Sequence, residues 1–113
     1  MSDFQVDFVA KDPWRMILVE EGPWDDLAFE LGRLQERLYS CLDAAIDGQL
    51  AQKFPESIGH VVTIELHGYN LPQDEVSNFF SRFGGSVLKL PEYAQALKES
   101  AHIVGVSFFA TFE

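Results

Sequence analysis

One long segment with an apolar stripe constrains the fold of this chain more than any other feature. Between Pro23 and Gly48, apolar residues recur at alternating steps of three and four, which places them on one face of a helix. Pro23 suits the first turn of a helix, and Gly48 can adopt the left-handed conformation that ends one. We therefore predict a single helix that packs on a sheet through its apolar face. The residues of the stripe are Trp24, Leu27, Leu31, Leu34, Leu38, Cys41 and Ala45.

Four segments in which apolar and polar residues alternate predict four β-strands. The first two, Phe4–Val9 and Trp14–Glu20, are separated by a short turn, which predicts an antiparallel hairpin. The third strand is predicted at His60–His67 and the last at Ile103–Phe112. Right-handed crossovers favour a parallel arrangement of these two strands, whereas the order of the strands does not follow from the sequence.

Two further helices are predicted in the second half of the chain. One begins near Pro72 and is expected to end at Gly84-Gly85, and the other covers Pro91–Glu99. The segment Ser86–Leu90 between them fits either a short strand or a loop. The resulting order, β-β-α-β-α-α-β, predicts an α+β fold: a two-layer sandwich with a four-stranded mixed sheet and helices on one face. Residues 1–113 are predicted to form one α/β domain.

The strongly acidic composition limits the classes of partner. The formal net charge is −10, from 18 acidic and 8 basic residues. Such a charge repels phosphate groups, so we expect no nucleic-acid binding and no docking on anionic membranes, and a protein partner is expected to be basic. The sequence contains no signal-peptide pattern and no apolar run that could span a membrane. The single cysteine, Cys41, cannot form an internal disulfide, and these features together predict a cytoplasmic protein without a cofactor.

The pair Glu65 and His67 is the only candidate for catalysis, and it is a weak one. Residues two apart in a strand project from the same face, and a carboxylate beside an imidazole can orient it or prepare it for proton transfer. No serine or cysteine nucleophile is placed beside them, and a solvated outer face of the sheet is the preferred explanation of both residues. The other histidines, His60 and His102, lie at the starts of predicted strands, and a metal site would require both to come close to His67 with suitable geometry, so we predict no metal site.

Acidic residues cluster where the chain enters the long helix. This acidic corner, which could dock a basic protein, is equally explained by helix capping and solubility. Its members are Glu20, Glu21, Asp25 and Asp26.

The face of the sheet that the helices leave uncovered carries many apolar residues. If the helices cover Phe8, Met16 and Phe108, another apolar set must point the other way. A contiguous apolar patch is typical of an interface, so we predict self-association as a dimer through this face or through the edge of the last strand. The alternative is that the twist of the sheet and the segment Ser86–Leu90 cover these residues. The residues expected on this face are Val9, Ile17, Val19, Val61, Ile103 and Phe109.

Several short elements resemble those of a small bacterial family that is catalogued only as a domain of unknown function. They are Trp24-Asp25-Asp26, Leu34-Gln35-Glu36, Ile46-Asp47-Gly48-Gln49-Leu50 and Phe54-Pro55-Glu56. The resemblance covers about residues 14–72 and implies a compact α/β domain with this order of elements. It implies no activity and no catalytic residue.

The sequence therefore leads to two hypotheses about function. The first is a non-enzymatic module for protein–protein interaction, of the kind found in immunity or adaptor proteins, because the chain is acidic and lacks a catalytic constellation. The alternative is a small-molecule-binding protein or enzyme with a site near Glu65 and His67.

Overall fold

Four strands form one mixed sheet in the computed structural model, which describes residues 6–113. The strands lie in the order β1-β2-β3-β4; β1 and β2 are antiparallel, whereas β2–β3 and β3–β4 are parallel. The predicted α+β fold with a four-stranded mixed sheet is confirmed, and so is the parallel pairing of the last two strands. Phe4 and Gln5 of the first predicted strand lie outside the described residues. The strands are β1 (Phe8–Ala10), β2 (Trp14–Glu21), β3 (His60–Tyr69) and β4 (Ile103–Phe112).

The helices precede and follow β3 in the chain. They are α1 (Leu27–Asp47), α2 (Gln49–Lys53), α3 (Gln73–Ser86) and α4 (Pro91–Glu99), with short 3-10 turns at Pro55–Ser57 and Val87–Lys89. Within residues 6–113, none of these helices has both the length and the apolar character needed to cross a lipid bilayer.

The predicted long helix is present as the single helix α1, but it begins later than expected. Its first residue is Leu27, and the carboxylate of Asp26 accepts a hydrogen bond from the Phe29 N–H at 3.1 Å. An aspartate in this position satisfies a backbone donor that has no partner within the helix, which a proline cannot do. The prediction that Pro23 and Trp24 belong to the helix is therefore wrong.

The end of α1 and its buried face agree with the prediction. Gly48 closes the helix with a φ of 108°, a left-handed conformation that side chains with a Cβ rarely adopt. Leu34, Leu38 and Cys41 are fully buried against the sheet. The covered face of the sheet supplies the other half of the core through Trp14, Met16, Leu18, Val62, Ile64 and Leu66.

Three residues lie on the opposite side of the sheet from the one predicted. Phe8 pairs with Ile17 and Val9 with Met16, so Val9 packs against the core whereas Phe8 is 61% exposed. Ile103 is only 3% exposed and belongs to the core, because the register between β3 and β4 shifts at His60/Val61. An extra residue in one strand reverses the faces of the residues that precede it. Alternation alone does not reveal such a shift.

The prediction that Gly84-Gly85 ends the helix is also wrong, since α3 continues to Ser86. A Cβ added at Gly84 would lie 3.0 Å from the Cβ of Phe108, so this glycine allows α3 to approach β4 closely. The segment Ser86–Leu90 is neither a strand nor an irregular loop. It tightens into a 3-10 turn at Val87–Lys89 and buries Val87.

Candidate functional site

The face of the sheet that the helices leave uncovered, called the open face below, brings Glu65 and His67 together with Arg15. His67 Nε2 donates a hydrogen bond to Glu65 Oε1 at 2.9 Å, and Arg15 Nη1 lies 3.5 Å from Glu65 Oε2. Glu65 is only 7% exposed, so its carboxylate is enclosed between the two partners. The spacing in the sequence predicts the Glu65–His67 contact. Arg15 enters the cluster only because β2 and β3 are neighbours, which no local pattern indicates.

Within residues 6–113, no hydrogen bond joins a hydroxyl or thiol group to His67. The Thr63 and Ser107 hydroxyls lie 2.7 Å apart and bond to each other. Thr111, not Ser107, is the partner of His67 in the register between β3 and β4, so Ser107 lies about 13 Å along the strand from the level of the imidazole. The arrangement can hold His67 in one orientation and neutralise Glu65. A catalytic or small-molecule-binding role for the pair stays a prediction.

The acidic corner loses one of its four predicted members. Glu20 is 4% exposed and accepts hydrogen bonds from Arg33 and Arg37 of α1, one of them from Arg33 Nη1 at 3.1 Å. It therefore cannot belong to an exposed docking surface. Glu20 follows Leu18 by two residues in β2, so it lies on the same, covered face of the sheet. The alternation of the sequence already indicated this placement. Glu21, Asp25 and Asp26 are exposed, and Asp26 caps α1.

Asp7 extends the buried ion pairs to the start of β1. Its carboxylate accepts a hydrogen bond from the Val19 N–H at 2.7 Å and another from Arg37 Nη2 at 2.9 Å. Burial by itself would raise the pKa of Asp7, but these two donors and the charge of Arg37 outweigh it and hold the pKa below the ordinary value of 3.8. Ionised Asp7 therefore helps to fasten β1 to β2 and α1.

Replacing Asp7 with asparagine should make the protein less stable in a pH-dependent way. A carboxyl group whose pKa is lowered by folding stabilises the native state above its unfolded pKa, and this contribution is lost as the pH falls through the folded pKa. Because the side chain is 40% exposed, we expect a loss of about 0.5–1 kcal/mol at pH 7, which fades below pH 3.8. Urea unfolding of the original protein and of Asp7→Asn between pH 2.5 and 7 measures this loss of stability. The control Asp25→Asn, at an exposed residue, should change stability by no more than about 0.5 kcal/mol at pH 7. An equal loss for Asp7→Asn at every pH would contradict the assignment.

Among residues 6–113, the outer edge of β4 is the longest unpaired edge of the sheet. No strand among residues 6–113 pairs with it. Glu113 directly follows β4. Its backbone N–H donates to the Gly68 carbonyl at 2.8 Å, and its backbone carbonyl accepts from the Asn70 N–H at 2.9 Å, so both of its backbone polar groups point towards β3. Because backbone groups alternate in direction along a strand, those of Val106, Phe108 and Ala110 point outward.

A groove of about 450 Å³ runs along this edge, between β4 and α3. The strand side is the continuous segment Val106–Ala110, and α3 forms the helix side, where Phe80 is the one large apolar residue that lines the groove. The other lining residues of α3 are small and spaced so that they share one face of the helix: Ser77, Ser81, Gly84 and Gly85. The sequence contained this spacing, but only the packing of α3 beside β4 makes it a groove.

Four of the six residues predicted on the apolar open face, Ile17, Val19, Val61 and Phe109, do lie on it, but they are not equally accessible. Ile17 is buried and Val19 is half-buried on the open face, whereas Val61 is exposed. Phe109 is 53% exposed and adjoins the groove beside β4. Of the predicted apolar face, the part next to the edge of β4 is therefore the most available to a partner.

The environment of Cys41 does not activate its thiol. Burial raises the pKa of the Cys41 thiol to about 12, so it is protonated and a poor nucleophile at neutral pH. In the described part of the chain, no group of three or more histidine, cysteine, aspartate or glutamate residues is arranged to hold a metal ion.

Comparisons of the chain with protein-family models, with curated proteins and with solved structures gave no match. The resemblance of residues 14–72 to a bacterial domain of unknown function therefore stays a prediction.

Proposed function

We propose that this protein is a non-enzymatic module for protein–protein interaction, and that it docks partners by strand addition at the outer edge of β4. The observation that carries this proposal is the outer edge of the ten-residue strand β4, where no strand within residues 6–113 pairs with the outward backbone groups of Val106, Phe108 and Ala110. Unpaired edges of this length are templates for pairing with another chain, and most proteins shorten, charge or cover them. Here the edge is uncharged and borders a groove that an extended segment can enter.

Two kinds of partner belong to this proposal. One is a second copy of the chain, as a homodimer. The other is a basic protein, which the net charge of −10 would attract electrostatically before the two surfaces come into contact. The exposed acidic residues Glu21, Asp25 and Asp26 are the proposed contacts for the basic protein. Their contribution to affinity should weaken as the salt concentration rises.

Ala110→Pro tests docking at the edge. Proline removes the outward N–H of residue 110, which pairs with nothing in the sheet, so the fold should survive while strand addition fails. Peptides selected from a phage-displayed library of random 12-residue sequences should bind the protein and lose at least tenfold in affinity for Ala110→Pro. The control Ala110→Ser keeps the N–H and should bind normally, with circular dichroism confirming the fold of both variants.

A second variant tests the groove without changing the backbone. Ser81→Lys places a long side chain in the groove from the α3 side and should weaken the same peptides. Gln95→Lys makes the same charge change on the exposed surface of α4 and should not. Selected peptides that bind Ala110→Pro and Ser81→Lys as tightly as the original protein would contradict the proposal, and so would a library that yields no binders.

A further inference from the structure

We infer that the strand added at β4 comes from a second copy of this chain, in an antiparallel pairing with a two-fold axis at Phe108. This inference rests on the proposed function, because it names the occupant of the same edge. In this arrangement the two sheets would join into one of eight strands, with both α3 helices on the same side.

The extent of the groove selects the register. The part of β4 that lines the groove is Val106–Ala110, and its midpoint is Phe108. Only an axis at Phe108 places this whole segment of one copy opposite the same segment of the other. Val106 then faces Ala110 of the second copy, and Phe108 faces its own equivalent. Since each such pair of outward residues exchanges two hydrogen bonds, the pairing supplies about six.

The charges at the groove favour a second copy over a basic segment. No residue of Ile103–Phe112 is charged, and none of the residues that line the groove is charged. A basic peptide would find no carboxylate there to pair with. Two copies that each carry a net charge of −10 can meet at the uncharged edge of β4 and its groove without placing carboxylates against each other.

The side chains on the open face are compatible with this register. Phe109 of one copy lies opposite Ser107 of the other, with Gly105 at the diagonal position. Both are small, so they leave room for the aromatic ring, which is largely exposed in the single chain. On the other side of the sheet, the small residues of α3 allow the second copy to approach closely.

The size of the contact indicates a reversible dimer. The contact would be about 23 Å long, the span of the seven residues from Gly105 to Thr111. It would be about 20 Å wide, the combined thickness of the sheet and the helix layer. Each copy would therefore contribute about 500 Å², or about 1,000 Å² in total, which is near the lower limit for a specific interface. We expect dissociation in the micromolar range.

Cysteine cross-linking tests the register, because the disulfide bond requires Cα atoms within about 7 Å. With the axis at Phe108, residue 107 faces residue 109 of the second copy. An equimolar mixture of Ser107→Cys and Phe109→Cys should form a covalent dimer under mild oxidation at least fivefold more than either variant alone. Both positions are exposed, so the fold should tolerate them. When Ala110→Pro is added to both cysteine variants, the mixture should form no more covalent dimer than either variant alone.

Sedimentation of the unaltered protein between 1 and 500 μM should show a monomer that converts to a dimer. Each of the following outcomes would overturn the inference. Cross-linking of Ser107→Cys alone would place the axis at residue 107, and cross-linking of Phe109→Cys alone would place it at residue 109. A monomer at every concentration would exclude a second copy as the occupant, whereas peptide binding that depends on the N–H of residue 110 would still support the proposed function.

Discussion

Replacing Leu38 with alanine should lower the free energy of unfolding by about 2–5 kcal/mol. Leu38 lies in the middle of α1 and is fully buried between the helix and the sheet. Removing its branched end loses the transfer free energy of the deleted groups and leaves a cavity, because a helix held at both ends cannot collapse fully into the space. Urea unfolding followed by circular dichroism and by the fluorescence of the buried Trp14 measures the change.

Gln35→Ala provides the matched control on the same helix. Gln35 is exposed and alanine favours helices, so its stability should change by no more than about 0.5 kcal/mol. Leu31→Ala should lie between the two variants, because Leu31 is only half-buried. If Leu38→Ala were as stable as Gln35→Ala, α1 would not pack on the sheet as described, and the open face and groove derived from that packing would be lost with it.

Replacing Glu20 with alanine should cost about 3–5 kcal/mol. Glu20 is almost completely buried and accepts hydrogen bonds from Arg33 and Arg37. Its removal leaves two guanidinium groups facing each other beside the core with one fewer carboxylate between them. Arg33 keeps Glu30 at 2.9 Å and Arg37 keeps Asp7, so the loss falls towards the lower end of this range. Thermal and urea unfolding at pH 7 measure it.

The neighbouring residue supplies the control. Glu21 is exposed at the end of β2, and Glu21→Ala should change stability by no more than about 0.5 kcal/mol. A double-mutant cycle between Glu20→Ala and Arg37→Ala should give a coupling of about 1–3 kcal/mol, because the two side chains bond directly. A loss below about 1 kcal/mol for Glu20→Ala would mean that the carboxylate is more hydrated than its burial indicates.

The contrast between Glu20 and Glu21 shows how far the sequence could define a site. As adjacent acids they look like one patch, and both were predicted to bind a partner. In a strand, however, they point to opposite faces, and Arg33 and Arg37 are one helical turn apart on α1. The pattern therefore contained the information that Glu20 faces α1, provided that the pairing of α1 with this face of the sheet was known.

The candidate surfaces divide in the same way. The Glu65–His67 contact follows from a spacing of two in a strand, so the sequence predicts it without further information. Arg15 joins these residues across a boundary between strands, and the groove beside β4 requires Phe108 to meet Gly84 of α3. Such contacts depend on strand order and helix position. Neither has a local signature, because both are decided by how the layers pack together.

By itself, the sequence determined the periodic elements: one long helix ended by Gly48, alternating strands, and therefore a sheet covered on one face. These follow from local geometry, since an apolar side chain every three or four residues, or every second residue, must share one face. Only the tertiary structure decided which strand lies at the edge, which side Phe8 and Ile103 occupy, and that α3 continues through Gly84. These features depend on pairing and close approach between distant segments, and the same local pattern is compatible with more than one such pairing.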